Sequence, residues 1–239
     1  TPDGLKKLLD TPGGFDKTLW DHAVAAGWPG LAVDESAGGL GLGWPGLAVL
    51  SEALGEANGS LPLIAGAVLA RACVESGEKQ LIHNIAEPVA SGQLIACMAW
   101  TQAGEAGLSS MPKLRLENGR LFGSTGITAF AAVADVALLV ASEDQRQVLL
   151  AVFLDAPAVK REIEPSLDNA RAAARLNFTG AQVNQISISS VAPVQVARLD
   201  ALAALATASE QLGGASACLL MARDYALQRV AFGQQISRF

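Results

Sequence analysis

The chain has 239 residues, a formal net charge of −6 and a sequence pI near 4.9. No run of lysine and arginine interrupts this acidic balance, which argues against a nucleic acid or an anionic membrane surface as the partner. The length exceeds that of one ordinary hydrophobic core, so we expect two or more folding units.

The hydrophobic share of the composition, 51%, is high for a soluble chain. Long uncharged stretches such as residues 36–51 are nevertheless broken by glycines and Pro45, so we expect no membrane insertion. Excess apolar surface of this kind is typically buried between subunits. The composition therefore predicts an obligate oligomer, a homo- or hetero-oligomer of dimer or tetramer size.

The cysteines and histidines show no metal or disulfide pattern. Cys73, Cys97 and Cys218 lie far apart in apolar surroundings, and we predict that all three are reduced core residues. His22 and His83 have no ligand-spaced partners, so we expect them to be surface or hydrogen-bonded histidines. The chain opens without a signal-peptide pattern, which makes a cytoplasmic location the default expectation.

Helical periodicity dominates the first part of the chain. Turn and stop signals divide it, because Gly27, Asn58-Gly59 and Gly77 are residues that commonly end helices. The predicted helices are 15–26, 45–57, one from Ser60 toward Gly77 and one from Glu78 to Pro88.

Short apolar runs replace this periodicity from Leu94 onward, and they predict strands at 94–101, 113–116, 136–141 and 148–154. The pair Asn118-Gly119 predicts a type I′ hairpin, because both turn residues must accept a positive φ. Alternating apolar residues extend the sheet, at Leu176, Phe178, Ile186 and Ile188.

After Pro193 the chain becomes helical again, and residues 199–229 are rich in alanine, leucine and methionine. The pair Gly213-Gly214 in the middle of this helix predicts a close approach by another helix. The order of helices, antiparallel sheet and helices predicts an α+β fold.

The tail of this last helix carries the most specific motif of the chain. Residues 225–239 read Tyr-Ala-Leu-Gln-Arg-Val-Ala-Phe-Gly-Gln-Gln-Ile-Ser-Arg-Phe. This run resembles the acyl-CoA dehydrogenase pattern Tyr-Ala-x-x-Arg-x-x-Phe-Gly-x-x-Ile-x-x-Phe. An exposed cation near a helix C-terminus is the alternative interpretation of Arg229, but the flanking residues match the family pattern in register.

The resemblance covers nearly the whole chain, since residues 27–43 and 51–57 look like the helix-loop-helix entry of that family. It implies an N-terminal helical domain (1–93), a central antiparallel β domain (94–192) and the first helix of an incomplete C-terminal helical bundle (193–239). It also implies FAD as cofactor, with Arg229 and Phe232 at the diphosphate of an FAD held mainly by the neighbouring subunit. The planar, permanently charged guanidinium suits that task.

A second interpretation of the glycines Gly39, Gly41 and Gly43 is a dinucleotide fingerprint. We reject it, because no predicted strand precedes them and no βαβ unit surrounds them. A tight loop between two helices explains the cluster.

The flavin-facing motifs of the family are degraded here. Trp100 and Thr101 stand where the family has the end of a flavin-facing strand, and the Thr101 hydroxyl is the predicted flavin contact; alternatively, Thr101 simply ends a strand. Gln102 and Ala103 replace the usual acid and proline. Ser109 falls in a run that resembles the family's phosphate-binding turn.

Other positions that the family uses in its chemistry also differ. Ile127 and Ala129 occupy the places of a stacking aromatic residue and a hydroxyl residue, so flavin binding by this sheet is in doubt. Ala203 occupies one family position of the catalytic carboxylate, and the other position would lie beyond Phe239. Glu210 is about 10 Å further along the helix. We expect it to cap or pair within the helical layer, or to contact a subunit interface.

The resemblance implies α,β-desaturation of an acyl-CoA thioester with hydride transfer to FAD, and electron-transfer flavoprotein as an electron acceptor. Two alternatives stay open. The first alternative to this dehydrogenase is a degenerate, non-catalytic subunit of a heteromeric acyl-CoA dehydrogenase. The second is a non-enzymatic acyl-CoA-binding protein on the same fold.

Overall fold

The computed structural model describes residues 2–99, 114–144, 146–165, 168–187 and 192–239. Its helices are α1 (Pro2–Leu9), α2 (Lys17–Ala25), α3 (Gly43–Glu56), α4 (Leu63–Ser76), α5 (Lys79–Leu81), α6 (Glu87–Ala90) and α7 (Ala192–Gln228). Its strands are β1 (Ala96–Ala99), β2 (Arg115–Glu117), β3 (Arg120–Thr128), β4 (Val136–Glu143), β5 (Arg146–Phe153), β6 (Val159–Ile163), β7 (Ala174–Gln182), β8 (Asn184–Ser187), β9 (Val230–Ala231) and β10 (Gln234–Gln235).

The N-terminal helices follow the predicted signals closely. Asp16 caps α2, since its Oδ1 accepts a hydrogen bond of 2.9 Å from the backbone N–H of Leu19. Gly77 ends α4 with a φ of 72°, in the left-handed region that glycine adopts without strain. Of the 14 residues of α4, eight are buried, which makes α4 the central helix of this layer.

The sheet is mixed, which corrects the prediction of a purely antiparallel β domain. Its strand order is β6-β7-β3-β2-β4-β5-β8, and β1 also pairs with β4. Most neighbours are antiparallel, but β1 and β2 both run parallel to β4. The predicted hairpin is confirmed between β2 and β3, where Asn118 and Gly119 have φ values of 50° and 72°.

Both faces of the sheet are covered by apolar residues. Along β4, Val136, Leu138 and Val140 join the core shared with α4 and α7, whereas Ala137 and Leu139 join the opposite core. This alternation follows from the two-residue period of a strand. The sheet therefore carries the helical layer on one face and an interior of its own on the other.

Helix α7 is buried only in its first half. Its buried residues end at Gly213, and the part of the helix beyond that glycine is largely exposed. Cys73 and Cys97 are buried as predicted, but Cys218 is exposed on this free half, so its assignment to the core was wrong. The boundaries 1–93, 94–192 and 193–239 stay predictions.

A charged cluster ties α7 to α4. Glu75 of α4 forms ion pairs with Arg71 on the same helix and with Arg198 on α7, and Gln195 of α7 donates to it at 3.4 Å. Arg71 also reaches Asp34 at 3.6 Å. The side chain of Glu75 is only 12% exposed, so its charge depends on these partners.

We expect Glu75→Gln to lower the free energy of unfolding by about 1–2 kcal/mol, because both arginines lose their shared carboxylate but can still reach water. Urea unfolding of the variant measures this. Glu117→Gln, which removes an exposed carboxylate paired with Arg115, is the control and should change stability by less than about 0.5 kcal/mol. Equal midpoints for the two variants would contradict the assigned role of Glu75.

Candidate functional site

The end of α7 presents Arg229 to solvent. The backbone N–H of Arg229 donates to the Tyr225 carbonyl at 2.8 Å, and the Arg229 carbonyl accepts from Ile236 at 2.9 Å. These two bonds fix the backbone where the helix gives way to the β9–β10 hairpin. Within the described part of the chain, the guanidinium has no hydrogen-bond or ion-pair partner. Its donors are therefore available to a ligand or another subunit.

The tip of this hairpin is a two-residue turn formed by Phe232 and Gly233. Their φ values are 51° and 80°, which are typical of a type I′ turn. A bulky residue in the left-handed region costs about 1–2 kcal/mol, and Phe232 is also 97% exposed. Phe239 packs edge-to-face against it, with ring centroids 6.3 Å apart. The turn holds an aromatic ring out in solvent close to Arg229 in sequence.

Thr101, Trp100 and Ser109 lie outside the described residues. Their predicted contacts with the flavin and its phosphates therefore stay predictions, as do those of Arg229 and Phe232. The sheet residues that lead to this segment, Met98 and Ala99, pair with Leu138 and Leu139 of β4.

The end of β3 is irregular where the family resemblance places the flavin-facing residues. The register with β7 shifts between Ser124 and Ile127, so the intervening residues bulge out of the ladder. Ile127 is 44% exposed and apolar. The next residue, Thr128, is buried, and its hydroxyl donates to the Gly126 carbonyl at 3.2 Å. Thr128 carries the hydroxyl nearest in sequence to the residues expected to face the flavin, and this hydroxyl forms its hydrogen bond within the protein.

Thr125 maintains this bulge. Its Oγ1 accepts a 3.0 Å hydrogen bond from the backbone N–H of Leu176 and donates to the Gly126 carbonyl at 2.7 Å. Arg175 of β7 donates to the Thr125 carbonyl at 2.8 Å. The Thr125 side chain therefore accepts the hydrogen bond from Leu176 that a backbone carbonyl would accept in a regular ladder.

We expect Thr125→Val to cost about 1–2 kcal/mol of stability, because valine leaves the buried N–H of Leu176 without an acceptor. Thermal or urea unfolding measures the loss. Thr179→Val on β7 removes an exposed hydroxyl that makes only a 3.3 Å contact with Ala158, and it should be nearly neutral. A similar loss in both variants would show that the bulge does not depend on Thr125.

Ala203, which occupies one family position of the catalytic carboxylate, and Glu210, which lies further along α7, have different surroundings. Ala203 is buried on α7 in the core with α4 and the sheet. Glu210 is paired with Arg171, which lies in the 3₁₀ turn Asn169–Arg171 between β6 and β7. The expected pairing within the helical layer was therefore wrong, since the partner comes from the loop of the sheet.

Arg171 is a residue that the sequence did not indicate. It lies 39 residues from Glu210, and it also contacts Asp168 at 3.3 Å. Burial lowers the pKa of the Arg171 guanidinium, but the hydrogen bond and charge of Glu210, together with Asp168, outweigh burial and raise it overall. The pair is a fixed contact between α7 and the sheet loop, and it leaves Glu210 engaged.

The buried thiols are chemically quiet. Burial raises the pKa of Cys73 and of Cys97 to about 12, so both remain protonated at neutral pH and are poor nucleophiles. In the described ranges, histidine, cysteine and acidic side chains form no group that could hold a metal ion. Of the helices described, none is both long and apolar enough to cross a membrane.

Residues 6–93 match the family described as acyl-CoA dehydrogenase, N-terminal domain. A curated relative, acyl-CoA dehydrogenase FadE27 of Mycobacterium tuberculosis, is 27% identical over 241 aligned residues, which cover the whole of this chain and 64% of the relative.

Solved structures share the fold. A variant of the Tcur3481-Tcur3483 steroid ACAD and the ChsE4-ChsE5 complex from Mycobacterium tuberculosis each superpose with a TM-score of 0.87 at 26% identity. Both are covered to 65% of their length by the whole of this chain. The structure of PigA with FAD and proline shows the same fold, with a TM-score of 0.80 at 23% identity. The match covers 94% of this chain and 63% of the PigA chain. This chain thus spans slightly less than two thirds of the length of each of these proteins.

Proposed function

Because the chain belongs to the acyl-CoA dehydrogenase family, we propose that it is a subunit of an FAD-dependent acyl-CoA dehydrogenase. The reaction would be α,β-desaturation of an acyl-CoA thioester. The observation that carries this proposal is Arg229, an unpaired cation among the described residues, placed at the end of α7 within the family's tail motif.

Arg229 suits an FAD diphosphate better than a structural role. A guanidinium that donates to phosphate oxygens forms short, paired, charge-assisted bonds, and it keeps its charge at every physiological pH. It lies 16 residues beyond Gly213, which corresponds to about 24 Å of helix past the last buried residue. This separation supports binding to a cofactor that another subunit holds.

The described residues suit the flavin ring of FAD less well than Arg229 suits the diphosphate. FAD, when bound, would accept the hydride that leaves the β-carbon of the acyl group. Ile127 offers neither a stacking ring nor a hydrogen bond to it, and the Thr128 hydroxyl is used inside the fold. Ala203 cannot take the α-proton, and Glu210 is held by Arg171. The chemistry of these four residues supports a second candidate function. In it, this chain is a non-catalytic subunit that completes the cofactor site of a sister chain.

The exposed half of α7 supports a hetero-oligomer or homo-oligomer. Large apolar side chains lie on several sides of it, and a helix that is apolar all round is normally buried. These side chains are Leu219, Leu220, Met221, Tyr225 and Leu227. The solved ChsE4-ChsE5 complex indicates that a similar chain works in a two-component assembly. Acyl-CoA, electron-transfer flavoprotein and a cytoplasmic location remain expectations from the family.

An absorbance spectrum tests the proposal directly. The protein is purified alone and again with a co-expressed neighbouring subunit, and the visible flavin bands are measured after desalting. Colour in the protein alone supports a self-sufficient flavoenzyme. Colour only with the neighbour supports the non-catalytic subunit. Absence of flavin from both preparations, with FAD added during purification, would contradict both candidates.

A further inference from the structure

Two Asn-Gly pairs occur in the sequence, Asn58-Gly59 and Asn118-Gly119. In this dipeptide the backbone nitrogen of glycine can attack the asparagine side-chain carbon Cγ, because glycine has no side chain that blocks the approach. The new C–N bond closes a five-membered succinimide ring, and ammonia leaves with the proton of the glycine N–H. Water then opens the ring at either carbonyl and gives aspartate or isoaspartate. The reaction therefore needs only water, a peptide that can rotate and a glycine nitrogen that can lose its proton.

The two asparagines themselves are closely matched. Both are exposed, and both have a left-handed backbone, with φ values of 52° at Asn58 and 50° at Asn118. Asparagine adopts this conformation more readily than most residues with a side chain. A difference in reactivity between the two pairs therefore has to come from the glycine that follows each asparagine.

Gly59 is held by the end of α3. Its backbone N–H donates to the Leu54 carbonyl at 2.8 Å. The space beside it is also filled, since a Cβ placed on Gly59 would lie 2.9 Å from Cδ2 of Leu54. The Gly59 nitrogen cannot turn toward the Asn58 side chain without losing the hydrogen bond that closes the helix end. The fold therefore protects Asn58.

Gly119 has none of these constraints. It is the second residue of the two-residue turn between β2 and β3, and the strand pairing resumes with Glu117 opposite Arg120. Within the described part of the chain, the Gly119 N–H has no hydrogen-bond partner. A Cβ placed on Gly119 would meet no atom within 4 Å, and residues 117–120 are all exposed. The Gly119 nitrogen can therefore turn toward Asn118 without breaking a hydrogen bond of its own.

We propose that Asn118 is a site of spontaneous deamidation in the folded protein, and that the fold protects Asn58 from the same reaction. The isoaspartate product adds a main-chain carbon to the β2–β3 turn and a negative charge beside Glu117. Because the two-residue turn sets the register of β2 against β3, this product loosens the hairpin. Its carboxylate is a substrate for methyltransferases that recognise isoaspartate.

Peptide mapping by mass spectrometry, after incubation of the whole chain at mildly alkaline pH and digestion at acidic pH, measures both sites in one sample. We expect Asn118 to deamidate at least tenfold faster than Asn58 in the folded protein. In urea, where the fold no longer holds Gly59, the two rates should differ by less than threefold. Equal rates in the folded protein would overturn the proposal. So would an equally large difference in urea, or an intact Asn118 after an incubation that converts it in urea.

Methylation of the incubated protein by an isoaspartyl methyltransferase, with labelled S-adenosylmethionine, is an independent readout. Asn118→Gly keeps the turn, because glycine also accepts a positive φ, and it should lower the methylation signal at least fivefold. Asn58→Gly is the matched control at the protected pair and should leave the signal unchanged. A full signal in Asn118→Gly, with folding checked by circular dichroism, would place the isoaspartate elsewhere and overturn the assignment.

Discussion

Replacing Gly213 with alanine is expected to destabilise the protein by about 3 kcal/mol or more, or to prevent folding. At this position α7 crosses α3 in direct backbone contact. A Cβ on Gly213 would overlap the carbonyl oxygen of Glu52, and a Cβ on Gly55 would overlap that of Glu210. Since backbone atoms of two helices cannot yield as a flexible side chain does, the helices must move apart. Urea or thermal unfolding measures the effect.

The adjacent Gly214 provides a matched control. A Cβ there would lie 3.6 Å from the Gly55 carbonyl oxygen, which is an ordinary van der Waals contact. Alanine should then be neutral or stabilise the helix by up to about 1 kcal/mol, because alanine has the higher helix propensity. If Gly213→Ala and Gly214→Ala unfold at the same midpoint, the close crossing of α3 and α7 is wrong.

Replacing Arg229 with alanine is expected to weaken FAD binding by the assembled protein roughly 10- to 100-fold. This corresponds to the loss of charge-assisted hydrogen bonds worth about 1.5–3 kcal/mol. Titration of the flavin-free assembly with FAD, followed by flavin fluorescence, measures the change. The unfolding midpoint should stay the same, because the Arg229 side chain is exposed and makes no hydrogen bond or ion pair within the described part of the chain.

Arg223→Ala is the control for this prediction. Arg223 is also an exposed arginine on the free half of α7, but it pairs with Asp224 at 2.7 Å and lies outside the tail motif. Arg223→Ala removes the same charge as Arg229→Ala, so a purely long-range electrostatic effect would weaken FAD binding equally in both variants. That result, or unchanged flavin affinity in Arg229→Ala, would reject the diphosphate role.

Local signals in the sequence predicted much of the fold. The φ values at Asn118 and Gly119 and the left-handed stop at Gly77 are properties of single residues and their neighbours. Helix and strand periods likewise depend on residues close in sequence. The parallel pairing of β1 and β2 with β4 was missed, because the strand pattern alone does not determine which strands become neighbours or in which direction they run.

The candidate site was predicted less completely. The tail motif identified Arg229 and Phe232, but their exposure, and the turn that holds Phe232, appear only in the structure. The Arg171–Glu210 pair joins residues of opposite charge 39 positions apart, and no spacing rule links such residues. Sequence reasoning also placed Cys218 in the core, because an apolar neighbourhood in sequence does not establish burial in the fold.

The sequence by itself indicated the resemblance to the acyl-CoA dehydrogenase family, the order of helices and sheet, and the presence of a glycine pair in a long helix. The tertiary structure decided which glycine of that pair meets α3, which carboxylates are paired, and where α7 leaves the body of the protein. The physical reason is the range of the interactions. Propensity, caps and turns act between near neighbours, whereas close packing, ion pairing and cavities depend on residues that only the folded chain brings together.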